Sequence, residues 1–148
     1  MKTLTFKAEG CSESPTKTVV RSRGFEMVLD EPDSFGGTDD GPTPFEFLFG
    51  ALAGCLNIVG HMVAKDMGFE LQGITFELAG DFDPSRFQGK ETSERAGYQE
   101  VRVTVTPDAD TDGQTLERWL QTVEERCPVS DNLRSPTPLK LSVHSEVE

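Results

Sequence analysis

Apolar residues recur along this chain with two different periods, and the switches between them divide it into elements. Leu4 and Phe6 alternate with polar neighbours, and after Thr18-Val19-Val20-Arg21-Ser22-Arg23 the residues Phe25, Met27 and Leu29 continue at a spacing of two. That alternation predicts half-buried strands over the first thirty residues. Gly24 marks a turn or a bulge between them. From Pro32 to Pro44 the chain is rich in Gly and Asp and reads as loop. A helix is then announced by Thr43 at the N-cap, Pro44 at the first helical position and Glu46 two residues on, a capping box with a proline start. It should run to about Asp66 or Met67 and stop at Gly68.

Period two returns with Ile74, Phe76 and Leu78 and, after a polar loop from Pro84 to Gly97, with Val101, Val103 and Val105. Asp112 can cap a second helix whose apolar positions are Leu116, Trp119, Leu120, Val123 and Cys127. Pro128 disfavours helical backbone at Cys127, so that helix ends or kinks at the thiol. Leu139, Leu141 and Val143 alternate as a final strand. The element order predicts an α+β fold: antiparallel sheets with two main helices, one of them a central buried helix carrying Cys55.

The length of 148 residues suits a single domain, 1–148. A net charge of −12, with 14 basic residues against 26 acidic ones, argues against nucleic acid or an anionic membrane as partner. The first residues lack the apolar run of a signal peptide. No segment is expected to approach a membrane span, because Asn57, His61, Lys65 and Asp66 break the stretch around Cys55. Three cysteines are too few for a disulfide scaffold, which points to a cytoplasmic setting with reduced thiols.

Chemistry therefore rests on thiol reactivity. Cys11 lies in a polar stretch that reads as an exposed turn and receives no role. Cys55 shares a helix face with Leu48, Ala51, Leu52, Ile58, Val59 and Met62, where burial would raise its pKa and leave it inert. A reactive Cys55 needs a cation from another element. Arg21 and Arg23 are the candidates, since they share one strand face with Val19. Cys127 ends one helix, and Cys127 to Leu133 could form a short second one with the thiol near its start. For both cysteines, core packing and redox chemistry stay open as readings. His61 does not share a helix face with Cys55, and no metal-ligand spacing appears, so neither metal nor other cofactor is expected. Asp30, Asp33, Asp39 and Asp40 read as solvated turn residues.

The segments Gly36-Gly37 to Gly41-Pro42-Thr43-Pro44-Phe45-Glu46, Ala51-Leu52-Ala53-Gly54-Cys55 and Val123-Glu124-Glu125-Arg126-Cys127-Pro128-Val129-Ser130 together resemble the OsmC/Ohr family. These are the osmotically inducible protein C and organic hydroperoxide resistance proteins. The resemblance follows the whole chain in element order and is nearer the broad OsmC-like branch. It implies an intertwined homodimer with a long central helix and a stress-response, antioxidant role as a thiol peroxidase acting on organic hydroperoxides. Cys55 then matches the peroxidatic cysteine and Cys127 the resolving one, with an external dithiol of lipoyl type as reductant. The family's active-site Glu stands directly after the helix-starting Pro, where this chain has Phe45. Glu46 comes one residue later, and a family Arg that contacts the thiol leaves Arg23, or else Arg21. A non-enzymatic small-molecule binding protein and a thiol or sulfur carrier are the alternatives.

Overall fold

The structure is a computed structural model that describes residues 2–145. It groups into two compact units, Met1–Ala51 and Leu52–Glu148, whose boundary falls inside the long helix.

The first unit is a three-stranded antiparallel sheet of β1 (Glu9–Ser12), β2 (Thr18–Ser22) and β3 (Phe25–Leu29), in that order. Val19, opposite Val28, is its buried apolar residue. Ser22 pairs with Phe25, so Arg23-Gly24 is a two-residue turn rather than a bulge, with Arg23 in left-handed backbone at φ 56°. Leu4 and Phe6, expected in a strand, lie outside one and are 72% and 91% exposed. Alternation alone forms no strand, and these residues have no ladder partner among the described residues. Cys11, expected in a turn, is exposed but belongs to β1.

The loop from Pro32 onward contains a 3-10 turn, Asp33–Phe35. Asp30 corrects the sequence reading, because it is fully buried rather than solvated. Its carboxylate accepts from the Glu31 N–H at 2.8 Å, the Thr38 N–H at 3.1 Å, the Thr38 hydroxyl at 2.6 Å and the Asp40 N–H at 3.2 Å. The Thr38 bond, against the cost of burial, holds its pKa far below the ordinary carboxylate range. The loop closes around this one side chain. Gly37 passes so near Glu31 that a Cβ there would overlap its backbone.

Helix α1 spans Pro44–Met67. Its start is the expected capping box: the Thr43 N–H donates to Glu46 Oε2 at 2.7 Å, and the Glu46 N–H donates to Thr43 Oγ1 at 3.3 Å. Its end is a Schellman motif, with the Gly68 N–H on the Lys65 carbonyl, the Phe69 N–H on the Ala64 carbonyl and Gly68 at φ 78°. Contrary to expectation, α1 is long and apolar enough to cross a membrane by length and composition. Lys65 and Asp66 lie near its C-terminal end, and Asn57 and His61 do not outweigh the apolar residues around them. Within the second unit, one face of α1 is packed as core through Leu52, Leu56, Val59, Val63 and Ala64. Ile58 and Met62, expected to share a buried face with Cys55, are instead 62% and 51% exposed.

Strands β4 (Leu71–Asp81) and β5 (Glu100–Ala109) form a long antiparallel hairpin. Phe76 and Leu78 on β4, with Val103 and Val105 on β5, present their side chains to the core cluster. Helix α2 (Gly113–Arg126) is capped by Asp112, whose carboxylate accepts from the Thr115 N–H at 2.9 Å. Trp119, Val123 and Cys127 are buried as expected, whereas Leu120 is 42% exposed. A short helix α3 (Pro128–Arg134) follows without a break beyond Cys127. Residues 136–145 carry no strand, correcting the expectation for Leu139, Leu141 and Val143, all of which are exposed. Here too the alternation has no partner strand among the described residues.

Candidate functional site

Cys55 and Cys127 are 72 residues apart in sequence and their sulfurs are 3.1 Å apart. Two local features produce the encounter. Cys55 stands on α1 beside the core positions Leu52, Leu56 and Val59. Cys127 is the joint between α2 and α3: it closes the first and caps the second, with extended backbone at φ −79° and ψ 110°. Pro128 enforces that geometry, because it excludes helical backbone before it and suits the first position after it.

The two thiols differ in access and in hydrogen bonding. Cys127 is completely buried and Cys55 only partly. Burial pushes the Cys55 thiol up, and the facing Cys127 sulfur pushes it further; the Val129 N–H opposes them. Burial also pushes Cys127 up, but hydrogen bonds from the Ser130 hydroxyl and N–H, from Cys55 and from the Val129 N–H outweigh it. Cys127 therefore lies below an ordinary thiol. The Ser130 N–H points at its sulfur from 3.5 Å. Both cysteines are free thiols.

The other expected site residues have partners of their own. Arg21 pairs with Glu26 across the β2–β3 ladder at 2.7 Å. Arg23 lies over the Phe25 ring, 5.0 Å from its centroid. Glu46 caps α1. These three belong to the first unit and the thiols to the second. Arg126, next to Cys127, reaches Asp66 on α1 at 2.7 Å. Ser130 was not foreseen as a site residue. Its signal is its place three residues after a capping cysteine, where a cap is met by a backbone N–H.

A groove of about 300 Å³, which neither cysteine lines, is bounded by Leu52, Leu56, Val101, Val103, Val105, Leu120 and Leu133. Ser130 lines it as well, so one residue touches both the groove and the Cys127 sulfur. Glu124 and Arg134, paired at 2.8 Å, stand in the same lining. A carbon skeleton fits this surface better than a charged ligand does.

None of the curated proteins compared with the chain matches it. Solved structures do. An OsmC-like protein from Mycoplasma pneumoniae superposes with a TM-score of 0.78 at 16% identity, over 90% of this chain and 89% of that one. An organic hydroperoxide resistance protein OsmC from Legionella pneumophila gives 0.66 at 16% identity, over 90% and 92%. An organic hydroperoxide resistance protein from Elizabethkingia anophelis gives 0.65 at 19% identity, over 92% and 93%. At these identities the likeness establishes the fold. A sequence model for OsmC-like proteins matches residues 37–142, which takes in the capping box, both cysteines and Ser130. The chain is a member of the OsmC-like protein family.

Proposed function

We propose that this protein is a thiol peroxidase that reduces organic hydroperoxides, with Cys55 as the attacking sulfur and Cys127 as the resolving one. The observation that carries the reading is the 3.1 Å separation of the two sulfurs, within one small movement of a covalent bond. Cys55 attacks the outer oxygen of the hydroperoxide, the O–O bond breaks, and the alcohol leaves as Cys55 becomes a sulfenic acid. Cys127 then displaces hydroxide from that sulfur, forming a disulfide. An external dithiol, of lipoyl type by family resemblance, returns the pair to its reduced form. The apolar groove beside Ser130 supports an organic hydroperoxide over hydrogen peroxide itself.

A homodimer fits the exposed stripe on α1 formed by Gly54, Ile58 and Met62, which brackets the position of Cys55. A second subunit could also bring Arg21 or Arg23 to the thiols. A reducing compartment such as the cytoplasm suits a pair that must be returned to free thiols after each turnover.

The test is consumption of cumene hydroperoxide with reduced lipoamide as electron donor. Turnover that disappears in Cys55→Ser, with a Cys55–Cys127 disulfide trapped when reductant is withheld, supports the reading. A wild-type protein that consumes no hydroperoxide with any dithiol rejects it. The groove favours one second reading, a carrier of an apolar small molecule. It predicts a co-purifying ligand and equally slow labelling of all three cysteines.

A further inference from the structure

A bridging ligand must match the spacing of the sulfurs it joins. The sulfurs of Cys55 and Cys127 are 3.1 Å apart, both thiols are free, and both pack with Leu52, Leu56, Val59 and Val123. With bonds near the ~2.3 Å of a zinc thiolate, a linear two-coordinate ion holds its sulfurs about 4.6 Å apart, a tetrahedral ion about 3.8 Å and a right-angled centre about 3.3 Å. The pair is set for the last of these. Linear Cu(I) and tetrahedral zinc would each force the sulfurs apart. Zinc also needs further ligands, and among the described residues no group of three His, Cys, Asp or Glu could hold a metal ion.

We propose that the Cys55 and Cys127 pair is a chelating site for trivalent arsenicals that carry one carbon substituent. Trivalent arsenic keeps a lone pair, so its three bonds are pyramidal and meet near right angles, and it is a soft centre that prefers sulfur. A monosubstituted arsenical fills one of the three positions with carbon and leaves two, the number of sulfurs this site supplies. Inorganic arsenite has all three to fill, and no third thiol joins the pair among the described residues. The product is uncharged, which suits surroundings where a charged complex would be costly to bury. The inference uses the spacing of the sulfurs and not their acidity, and it does not depend on the peroxidase reading.

No oxidation is involved. With R–As=O as the reactant, the partly open Cys55 sulfur forms the first bond to arsenic, and its proton passes to the oxygen. The intermediate carries one hydroxyl on arsenic. The Cys127 sulfur then forms the second bond, the As–O bond breaks, and the Cys127 proton leaves with that hydroxyl as water. One arsenical and two thiols give one cyclic dithioarsonite and one water, with arsenic trivalent throughout. The fold brings the sulfurs together before the ligand arrives, so the second bond forms at a high effective concentration. An unfolded chain must first close a loop across the 72 residues that separate them.

The experiment uses the full chain in a Cys11→Ser background, reduced with a phosphine so that no added thiol competes. Phenylarsine oxide is added at one equivalent, and the intact protein is weighed by mass spectrometry. The expected adduct has one phenylarsenic group in place of two hydrogens and retains no oxygen. Cys55 and Cys127 are expected to lose iodoacetamide reactivity together. The adduct should survive excess 2-mercaptoethanol and yield to the dithiol 2,3-dimercaptopropanol. Cys55→Ser and Cys127→Ser, each with one sulfur left, should hold phenylarsine oxide about a hundredfold less tightly or worse against the same monothiol. The chain in concentrated urea should behave like those variants, and sodium arsenite should be held more weakly than phenylarsine oxide by the folded chain. An adduct that keeps a hydroxyl, or that 2-mercaptoethanol removes as readily as from the variants, overturns the proposal. Equal retention by the urea-unfolded chain overturns it too, because the spacing would then contribute nothing. Arsenite held as tightly as phenylarsine oxide overturns the requirement for a carbon substituent. No arm uses a peroxide, so a protein inert toward cumene hydroperoxide rejects the peroxidase reading alone.

Discussion

The indole N–H of Trp119 donates to the carbonyl of Gly60 at 2.8 Å, and a Cβ on Gly60 would come within 3.1 Å of the same indole ring and 2.7 Å of Ile74. Trp119 is almost fully buried on α2, and Gly60 lies in the interior of α1, where glycine is otherwise unfavourable. The missing side chain lets the ring approach, and the carbonyl gives its N–H a partner. The same two helices also carry the two thiols toward each other.

Gly60→Ala is therefore expected to destabilise the protein by about 1–3 kcal/mol through overpacking, despite the better helix propensity of alanine. Trp119→Phe should cost roughly 1–2 kcal/mol through the lost hydrogen bond and the smaller ring. Urea unfolding of each variant measures both. A Gly60→Ala protein more stable than wild type would contradict the packing described.

Asp30→Asn should loosen the loop from Glu31 to Asp40. In the wild type, Asp30 Oδ2 accepts three bonds, from the Thr38 N–H, the Thr38 hydroxyl and the Asp40 N–H. An amide placed there either confronts those donors with its own N–H groups or turns and confronts Glu31. The folded carboxyl has a lowered pKa, so its stabilisation is complete above the ordinary carboxylate value and is lost progressively as pH falls from there through the folded value. The melting-temperature gap between wild type and variant, about 5 °C or more, should thus persist at pH 5 and narrow only in strong acid. Melting curves across that range check it.

Thr43→Ala should cost about 1 kcal/mol, because it removes the oxygen that receives the Glu46 N–H, while Thr43→Ser should be nearly neutral. Chemical denaturation of both variants measures the difference. The pairing of Glu46 with Thr43 gives that glutamate a structural role at the start of α1.

Arg126→Gln is expected to change stability by less than about 0.5 kcal/mol, since the pair with Asp66 is largely solvent-exposed. It should also leave Cys55 alkylation within twofold of wild type, because the guanidinium is turned to Asp66 rather than to a sulfur. Competitive labelling at neutral pH tests the second point.

The parts of the fold legible in the sequence are those whose signals are local. The capping box at Thr43 and Glu46, the stop at Gly68 and the cap at Asp112 each need only a few neighbouring residues, and each is present. The buried stripe of α2 follows from spacing alone through Trp119, Val123 and Cys127. What failed needs partners distant in sequence. Leu4, Phe6, Leu139, Leu141 and Val143 alternate like strand residues, but a ladder requires a second strand. Asp30 looked like its solvated neighbours because nothing in the sequence says that Thr38 and Asp40 fold back over it. In the site, the two cysteines could be named from their contexts and the family likeness. Their separation, the difference in access between them, and Ser130 are properties of packing between α1 and the joint of α2 with α3.

That joint has a consequence for the return half of a redox cycle. If a disulfide links the two sulfurs, an incoming reductant meets only the partly uncovered one, Cys55, because Cys127 stays sealed beneath α2 and α3. Attack is then regioselective: the mixed disulfide forms at Cys55, and Cys127 departs as the stabler anion, which favours its release. With such a bond in place, the architecture would set a direction for electron entry, and the point of delivery would be the outer sulfur.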